Sequence, residues 1–239
     1  MGNKYYKWII KILLMIIGVL YFIFLYMDLF NIETFIFSDM IKFICIILCF
    51  IISILTREHA LCNKDVSLLQ TGLFITILAD LFLLILDNYY ILGITLFCIV
   101  QIIYSIRYEA KKVSSTIRKF IIIFLAILIG YTAINIFIMK VDFLFMIGSY
   151  YAICLLTSLT KAIKAYKYEI YPNPNGQMIA LGMTLFLMCD VNVALYNIIG
   201  FISLTGKFIN LLYDISSISM WLFYLPSQVL LSLSGYKFD

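Results

Sequence analysis

Long apolar runs broken by short polar joints dominate this sequence, and membrane-crossing helices are the structures such runs form. At about 1.5 Å of rise per residue, a spanning helix needs roughly 20 residues. The runs fall at about 8–27, 35–55, 66–86, 89–108, 120–139, 143–163, 178–199 and 214–234. The joints run from Thr56 to Asp65, at Asp87-Asn88, from Glu109 to Lys119, and from Lys164 to Gln177 with Pro172 and Pro174. Hydrophobic residues make up 64% of the chain and charged ones 13%, which leaves too little charge to clothe a water-exposed surface. Soluble globular, disordered and disulfide-scaffold classes are therefore excluded. The expected fold is all-α: a single integral membrane domain over residues 1–239, built as a bundle of eight transmembrane helices.

Charge placement orients that bundle. With the N-terminus inside, Lys4, Lys7, Lys11, Arg57, Lys64, Arg107, Lys111, Lys112, Arg118, Lys119, Lys161, Lys164, Lys167 and Lys237 fall on the cytoplasmic side. Lys140 and Lys207 fall outside, and Lys42 lies within a span. This bias matches the positive-inside rule and predicts both termini in the cytoplasm. It also accounts for the basic joints without a nucleic-acid partner. Span one follows a basic start as a signal peptide would, but its apolar run is too long and no small-residue cleavage site follows, so it is expected to remain as an anchor. The longest joints are near a dozen residues, so the activity is expected within the bilayer.

The usual metal and redox ligands are scarce. Cys45, Cys49, Cys98, Cys154 and Cys189 sit inside apolar runs, only Cys62 lies in a joint, and no C-x-x-C occurs. Buried, inert thiols are the expectation. The single histidine, His59, lies in a charged joint. Neither a metal nor any other cofactor is expected.

Ionisable groups deep in a membrane helix are costly, and each is a functional candidate. Four stand out: Asp39 and Lys42 on span two, Asp80 on span three and Asp190 on span seven. Asp39 and Lys42 are three apart near the outer end of their helix and can neutralise one another. Asp80 and Asp190 have no cation within a turn of their own sequence. Each must face a polar interior, find a partner on another helix or stay protonated. A protonated carboxyl near neutral pH is what general acid catalysis requires, and a second carboxyl nearby favours that state. The alternative is a pair of structural hydrogen bonds between helices.

The two aspartates share a spacing. Gly72 precedes Asp80 by eight residues, and Gly182 precedes Asp190 by eight. Lys42 and Tyr150 are 108 residues apart, against 110 for the aspartates. This points to a parallel four-plus-four internal repeat, with the aspartates meeting near a pseudo-twofold axis. Gln101, Tyr104, Tyr150, Tyr151 and Asn192 lie at mid-bilayer depth, and Tyr224 and Gln228 share a face of span eight. If these converge with the aspartates they form a polar chamber. Tyr5, Tyr6, Tyr89, Tyr90 and Tyr171 are assigned only to the interfacial belts.

At these residues the chain resembles the YhhN-like lysoplasmalogenase family. Gly72-Leu73, Thr76 and Ala79-Asp80 are similar to its G-L-x-x-S-x-x-G-D element. Gly93, Phe97, Gln101 and Tyr104 follow its G-x3-F-x3-H-x2-Y spacing. Gly182, Phe186, Asp190 and Ala194 resemble its G-A-x-x-F-x-x-S-D-x-x-x-A element, Tyr224 and Gln228 its final Y-x3-Q, and Lys42 the lysine of an early K-P. The resemblance covers spans two to eight in order. The departures are Gln101 for histidine, Phe43 for proline, Ala79 for glycine and Cys189 for serine.

The resemblance implies hydrolysis of the vinyl ether bond of lysoplasmalogens to a fatty aldehyde and a glycerophospho-base. It places Asp80 and Asp190 in the catalytic roles, and Lys42, Gln101, Tyr104, Tyr151, Tyr224 and Gln228 around the substrate. The partner expected is a lysophospholipid or another single-chain amphipath, drawn from the surrounding membrane lipids, in a bacterial cell membrane. The sequence leaves the oligomeric state open. Three other readings stay open: a non-catalytic lipid-binding protein, a proton-coupled transporter or flippase using the same aspartates, and an intramembrane aspartyl protease. The protease ranks low because its G-x-G-D element is missing.

Overall fold

The computed structural model describes residues 2–30, 35–109, 113–202 and 206–238. Lys111 and Lys112 lie outside the described residues, as do the side chains of Lys4 and Tyr5. The helices are α1 (Gly2–Leu29), α2 (Phe35–Leu55), α3 (Asn63–Asp80), α4 (Tyr90–Tyr108), α5 (Val113–Phe137), α6 (Phe143–Lys167), α7 (Asn175–Ile202) and α8 (Lys207–Leu233). A 3-10 turn, Thr56–His59, leads into α3, and a π turn, Leu81–Ile85, continues it. Among the described residues, eight helices are long and apolar enough to cross a membrane. In hydrocarbon every backbone N–H needs a partner within its own segment, so each apolar run closes into a helix.

Several ends differ from the sequence expectation. α1 starts at Gly2 rather than near 8, α5 at Val113 rather than 120, and α8 at Lys207 rather than 214. Hydropathy marks only the stretch that lies in lipid, whereas helical hydrogen bonding runs on through the charged residues at the interface. α3 departs in the other direction: its regular hydrogen bonding stops at Asp80 and loosens into the π turn.

Six helices form a closed ring. α2, α3, α4, α6, α7 and α8 pack side by side in that order, and α8 returns against α2. α1 lies outside the ring against α2 and α8, and α5 lies outside against α4 and α6. The outer helices expose large apolar side chains, such as Met15, Val19 and Phe22 on α1 and Ile122, Leu125 and Ile129 on α5. Those are lipid-facing surfaces. The ring interior is filled by Ile46, Leu69, Leu73, Ile179, Met183 and Leu231.

Two of the glycines that permit close approaches are the pair that share a spacing in the sequence. A Cβ on Gly72 would run into the Tyr104 ring of α4. A Cβ on Gly182 would lie 3.0 Å from Leu231 of α8. The glycines that share a spacing in the sequence thus share a job, letting the next helix lie against bare backbone.

Pro226 sits inside α8 without ending it. A proline has no N–H to give to the carbonyl four residues back, here that of Leu222. The Tyr21 hydroxyl of α1 donates to that carbonyl at 2.9 Å instead.

One end of the bundle, called here the inner end, gathers both chain ends. Tyr6 on α1 donates to Glu58 at 3.0 Å, and the C-terminal residues lie along the α2–α3 joint, Lys237 N–H donating to the His59 carbonyl at 2.7 Å and Leu61 N–H to the Gly235 carbonyl at 3.1 Å. Beneath them Arg107 is fully buried. Its guanidinium donates to both oxygens of Asp65 at 2.9 and 2.8 Å and to Ser234 at 3.0 Å. Tyr171 donates to Asp65 at 2.6 Å and lies 3.0 Å from the Arg107 carbonyl. Asn175 adds bonds to the Ser234 and Tyr236 carbonyls at 2.9 and 2.6 Å.

This corrects the assignment of Tyr171 to an interfacial belt. Burial pushes its phenol pKa up, so it stays a donor. Tyr6 and Tyr90, assigned to the same belts, also hold carboxylates: Glu58 for the first and Asp87 for the second. Belt composition cannot separate a tyrosine facing headgroups from one facing a carboxylate, because both sit at the same depth.

Candidate functional site

Helix register sets the depth of the polar residues. Gly72 faces Tyr104 and Gly93 faces Leu83 across the antiparallel α3–α4 pair, which puts Asp80 level with Phe97. Asp80 is 6% exposed and closes α3 just before the π turn. π turns shift the register of the residues beside them and recur at functional sites. The Tyr224 hydroxyl, from α8 across the ring, donates to Asp80 at 2.8 Å.

Asp190 comes from the middle of α7 and is less deeply covered. The Tyr151 hydroxyl of α6 donates to it. The two carboxyls lie within electrostatic reach of one another, and Tyr224 lies within reach of both. Phe186 packs between the two halves, edge-on to Tyr224 at 5.7 Å and to Phe97 at 6.0 Å, with Phe97 6.1 Å from the Tyr151 ring. Asp80, Asp190, Tyr151 and Tyr224 are thus brought together by four helices. Sequence spacing had linked the aspartates, and the structure adds that each meets a tyrosine from another helix.

Gln101 and Tyr104 lie about one and two turns beyond Phe97 along α4, toward the inner end, and Gln228 about one turn beyond Tyr224 along α8. Gln101 is 0% exposed and its Oε1 accepts from Ser158 at 2.5 Å. Gln228 is also 0% exposed, and among the described residues neither of its amide atoms has a hydrogen-bond partner. The Gln101 Nε2 is likewise unpartnered. The Tyr104 hydroxyl lies beside Thr76, whose own hydroxyl donates to the Gly72 carbonyl at 3.0 Å, and among the described residues it has no hydrogen-bond partner. A buried polar atom without a partner costs about 1–3 kcal/mol. Gln101, Tyr104 and Gln228, called here the floor, each carry such an atom among the described residues.

Lys42 stands apart from this floor, toward the outer end. It is held by Asp39 at 3.1 Å, as its spacing implied, and also by Asp28 of α1 at 3.0 Å. Ser38 donates to Asp28 at 2.7 Å. The ammonium lies 5.2 Å from the Trp221 ring, which in turn meets Tyr224 edge-on at 5.2 Å. Two carboxylates already meet the one ammonium, so a phosphate would have to displace one of them. Asp28 escaped sequence reasoning because it lies at the end of span one, where an acidic residue reads as interfacial.

Tyr150 does not join the aspartates. Its hydroxyl reaches the Phe120 carbonyl at 3.3 Å in a separate α4–α5–α6 cluster with Cys98 and Cys154. Asn192 bonds the Met188 carbonyl of its own helix at 2.7 Å. Ser158 is the site residue that sequence reasoning missed; a serine on a helix carries no signal until its neighbour is known. Among the described residues no three His, Cys, Asp or Glu side chains are grouped to hold a metal ion.

No curated protein and no solved structure matches the chain. The model of the YhhN family matches residues 37–235, from the start of α2 through the end of α8. Every residue of the aspartate–tyrosine cluster and of the floor lies inside that stretch, and the chain belongs to the YhhN family.

Proposed function

We propose that the chain is an intramembrane lipid hydrolase that cleaves the vinyl ether bond of a lysoplasmalogen. The observation that carries this reading is the meeting of Asp80 and Asp190 inside a helix ring, each bonded to a tyrosine from another helix. Vinyl ether hydrolysis begins when a proton is added to the outer alkene carbon. The resulting oxocarbenium ion takes up water at the carbon next to oxygen and loses a proton. The hemiacetal then collapses to an aldehyde and the free glycerol hydroxyl. One carboxyl supplies the first proton, and one carboxylate stabilises the cation and accepts the proton of the attacking water. The division matches the pairing of acid and base carboxyls in glycoside hydrolysis.

The surroundings support a single-chain amphipath as guest. The aspartates lie at membrane depth between apolar helices, and the floor of Gln101, Tyr104 and Gln228 offers hydrogen bonds to a glycerol hydroxyl or to water. One observation favours a second reading: glutamine at position 101, which cannot carry a proton, fits a non-catalytic lipid-binding protein too. A proton-coupled transporter is less well supported, since the Arg107 network ties the inner end shut.

The helix order also supports an internal duplication. α1–α4 and α5–α8 repeat the same pattern, with the first helix outside the ring and the next three within it. The basic joints favour the inner end, with both termini, as the cytoplasmic side. The deciding experiment incubates purified protein with lysoplasmenyl lipid and assays aldehyde. Release by the native chain, lost in Asp80→Asn and Asp190→Asn, is the expected result. Release that survives both substitutions refutes the mechanism.

A further inference from the structure

The seam between α4 and α6 contains a hydrogen bond for which the proposed reaction has no use. Ser158 and Gln101 are both 0% exposed, and the serine hydroxyl donates to Gln101 Oε1 at 2.5 Å. The same hydroxyl lies 2.9 Å from the Leu155 carbonyl of its own helix. A hydroxyl has one proton and serves one acceptor at a time. The choice turns the glutamine amide one way or the other. With the proton on Oε1, the NH2 group faces away from Ser158 and is left without a protein partner, as observed. With the proton on Leu155, the serine oxygen would accept from NH2, and Oε1 would face away instead.

We infer that Ser158 is a positioning residue that fixes the Gln101 amide with its NH2 group offered as a donor to an oxygen of the bound lipid's glycerol part. The identity of the lipid rests on the hydrolase reading; the donor orientation does not. The shorter of the two contacts selects this state, and burial of both partners keeps water from competing for it. The amide hydrogens have no protein acceptor among the described residues, and Gln228 and Tyr104 also carry unpartnered polar atoms. Glutamine does not titrate, so position 101 donates a hydrogen bond and moves no proton. A histidine there would add a titrating group.

The test uses the full-length protein and two probes: a lysoplasmenyl lipid for turnover, and the alkyl-ether lysolipid of the same headgroup, which cannot be hydrolysed, for binding. Native protein, Ser158→Ala, Ser158→Thr, Gln101→Leu and the Ser158→Ala/Gln101→Leu pair are compared, each checked for thermal unfolding in detergent. Losing one neutral hydrogen bond weakens alkyl-ether binding about three- to tenfold in Ser158→Ala and in Gln101→Leu. The pair is expected to bind no more weakly than Gln101→Leu alone, because the serine acts only through the glutamine. Ser158→Thr keeps the hydroxyl and restores native affinity. Losses that add in the pair, a Ser158→Ala variant that binds like native, or a native protein that does not bind the alkyl ether each overturn the inference. Absence of aldehyde from the native protein with the binding pattern intact refutes the hydrolase reading alone.

Discussion

Replacing Arg107 by alanine tests how the inner end is closed. The guanidinium makes two bonds to Asp65, at 2.9 and 2.8 Å, and one to Ser234, at 3.0 Å, with no exposed surface of its own. Ser234 loses little, since its hydroxyl also donates to the Leu231 carbonyl at 2.6 Å. Asp65 loses much more: its carboxylate stays buried with the Tyr171 hydroxyl, at 2.6 Å, as its remaining side-chain donor. Removing one partner of a buried ion pair costs about 3–5 kcal/mol, whereas an exposed pair is worth about 0–1 kcal/mol. At roughly 2–4 °C per kcal/mol for a chain of this size, the midpoint falls by roughly 6–20 °C. The assay is thermal unfolding in detergent micelles, with limited proteolysis to follow release of the C-terminal residues from the α2–α3 joint. Arg107→Met combined with Asp65→Leu removes both charges and recovers most of the loss. A fall of about 1 kcal/mol or less in Arg107→Ala, or a double variant as unstable as the sum of the singles, refutes the buried-pair reasoning.

Three further outcomes follow from other contacts. Tyr224→Phe removes the donor to Asp80 and lowers kcat/KM for aldehyde release roughly ten- to hundredfold, the worth of a hydrogen bond to a charged group; unchanged turnover counts against a role for that hydroxyl. Gly72→Ala drives a methyl group into the Tyr104 ring and costs about 1–3 kcal/mol of overpacking, while Gly182→Ala, with its nearest neighbour at 3.0 Å, costs less; unfolding midpoints rank the two. The hydrogen bond from Lys161, with Nζ–Oε2 at 2.7 Å, holds the Glu109 pKa below its ordinary value. That contribution is present above the ordinary carboxylate range and is lost as pH falls through the lowered value. Glu109→Gln therefore loses that part of the acid sensitivity of the unfolding midpoint, and an unaltered profile contradicts it.

The spans were legible because hydrocarbon leaves the backbone one solution, so run length alone marks each helix. Asp80 and Asp190 were legible because a carboxylate between isoleucines and leucines has no ordinary reason to be there. Their tyrosines were harder to read. Tyr151 and Tyr224 were singled out for depth, but Tyr150, at the same depth and one residue away from Tyr151, faces another cluster. A rotation of about 100° per residue separates the two, and sequence does not say where zero lies. Arg107 and Asp65 are 42 residues apart on neighbouring helices, each beside a run of interfacial charge, and each reads as part of it. Ring order is a further property that no single span carries: it emerges only when α8 closes on α2.

The helix least like the rest of the machinery is α1. The family match begins at residue 37, beyond it, and α1 stands outside the ring. Yet α1 provides the second carboxylate on Lys42 and the hydroxyl that serves the carbonyl orphaned by Pro226. A chain cut before α2 would keep the aspartates, their tyrosines and the floor, but would leave a buried ammonium with one counter-ion and the Leu222 carbonyl without its Tyr21 donor. Without α1, the Lys42 ammonium and the turn of α8 that carries Tyr224 would each lack one polar partner.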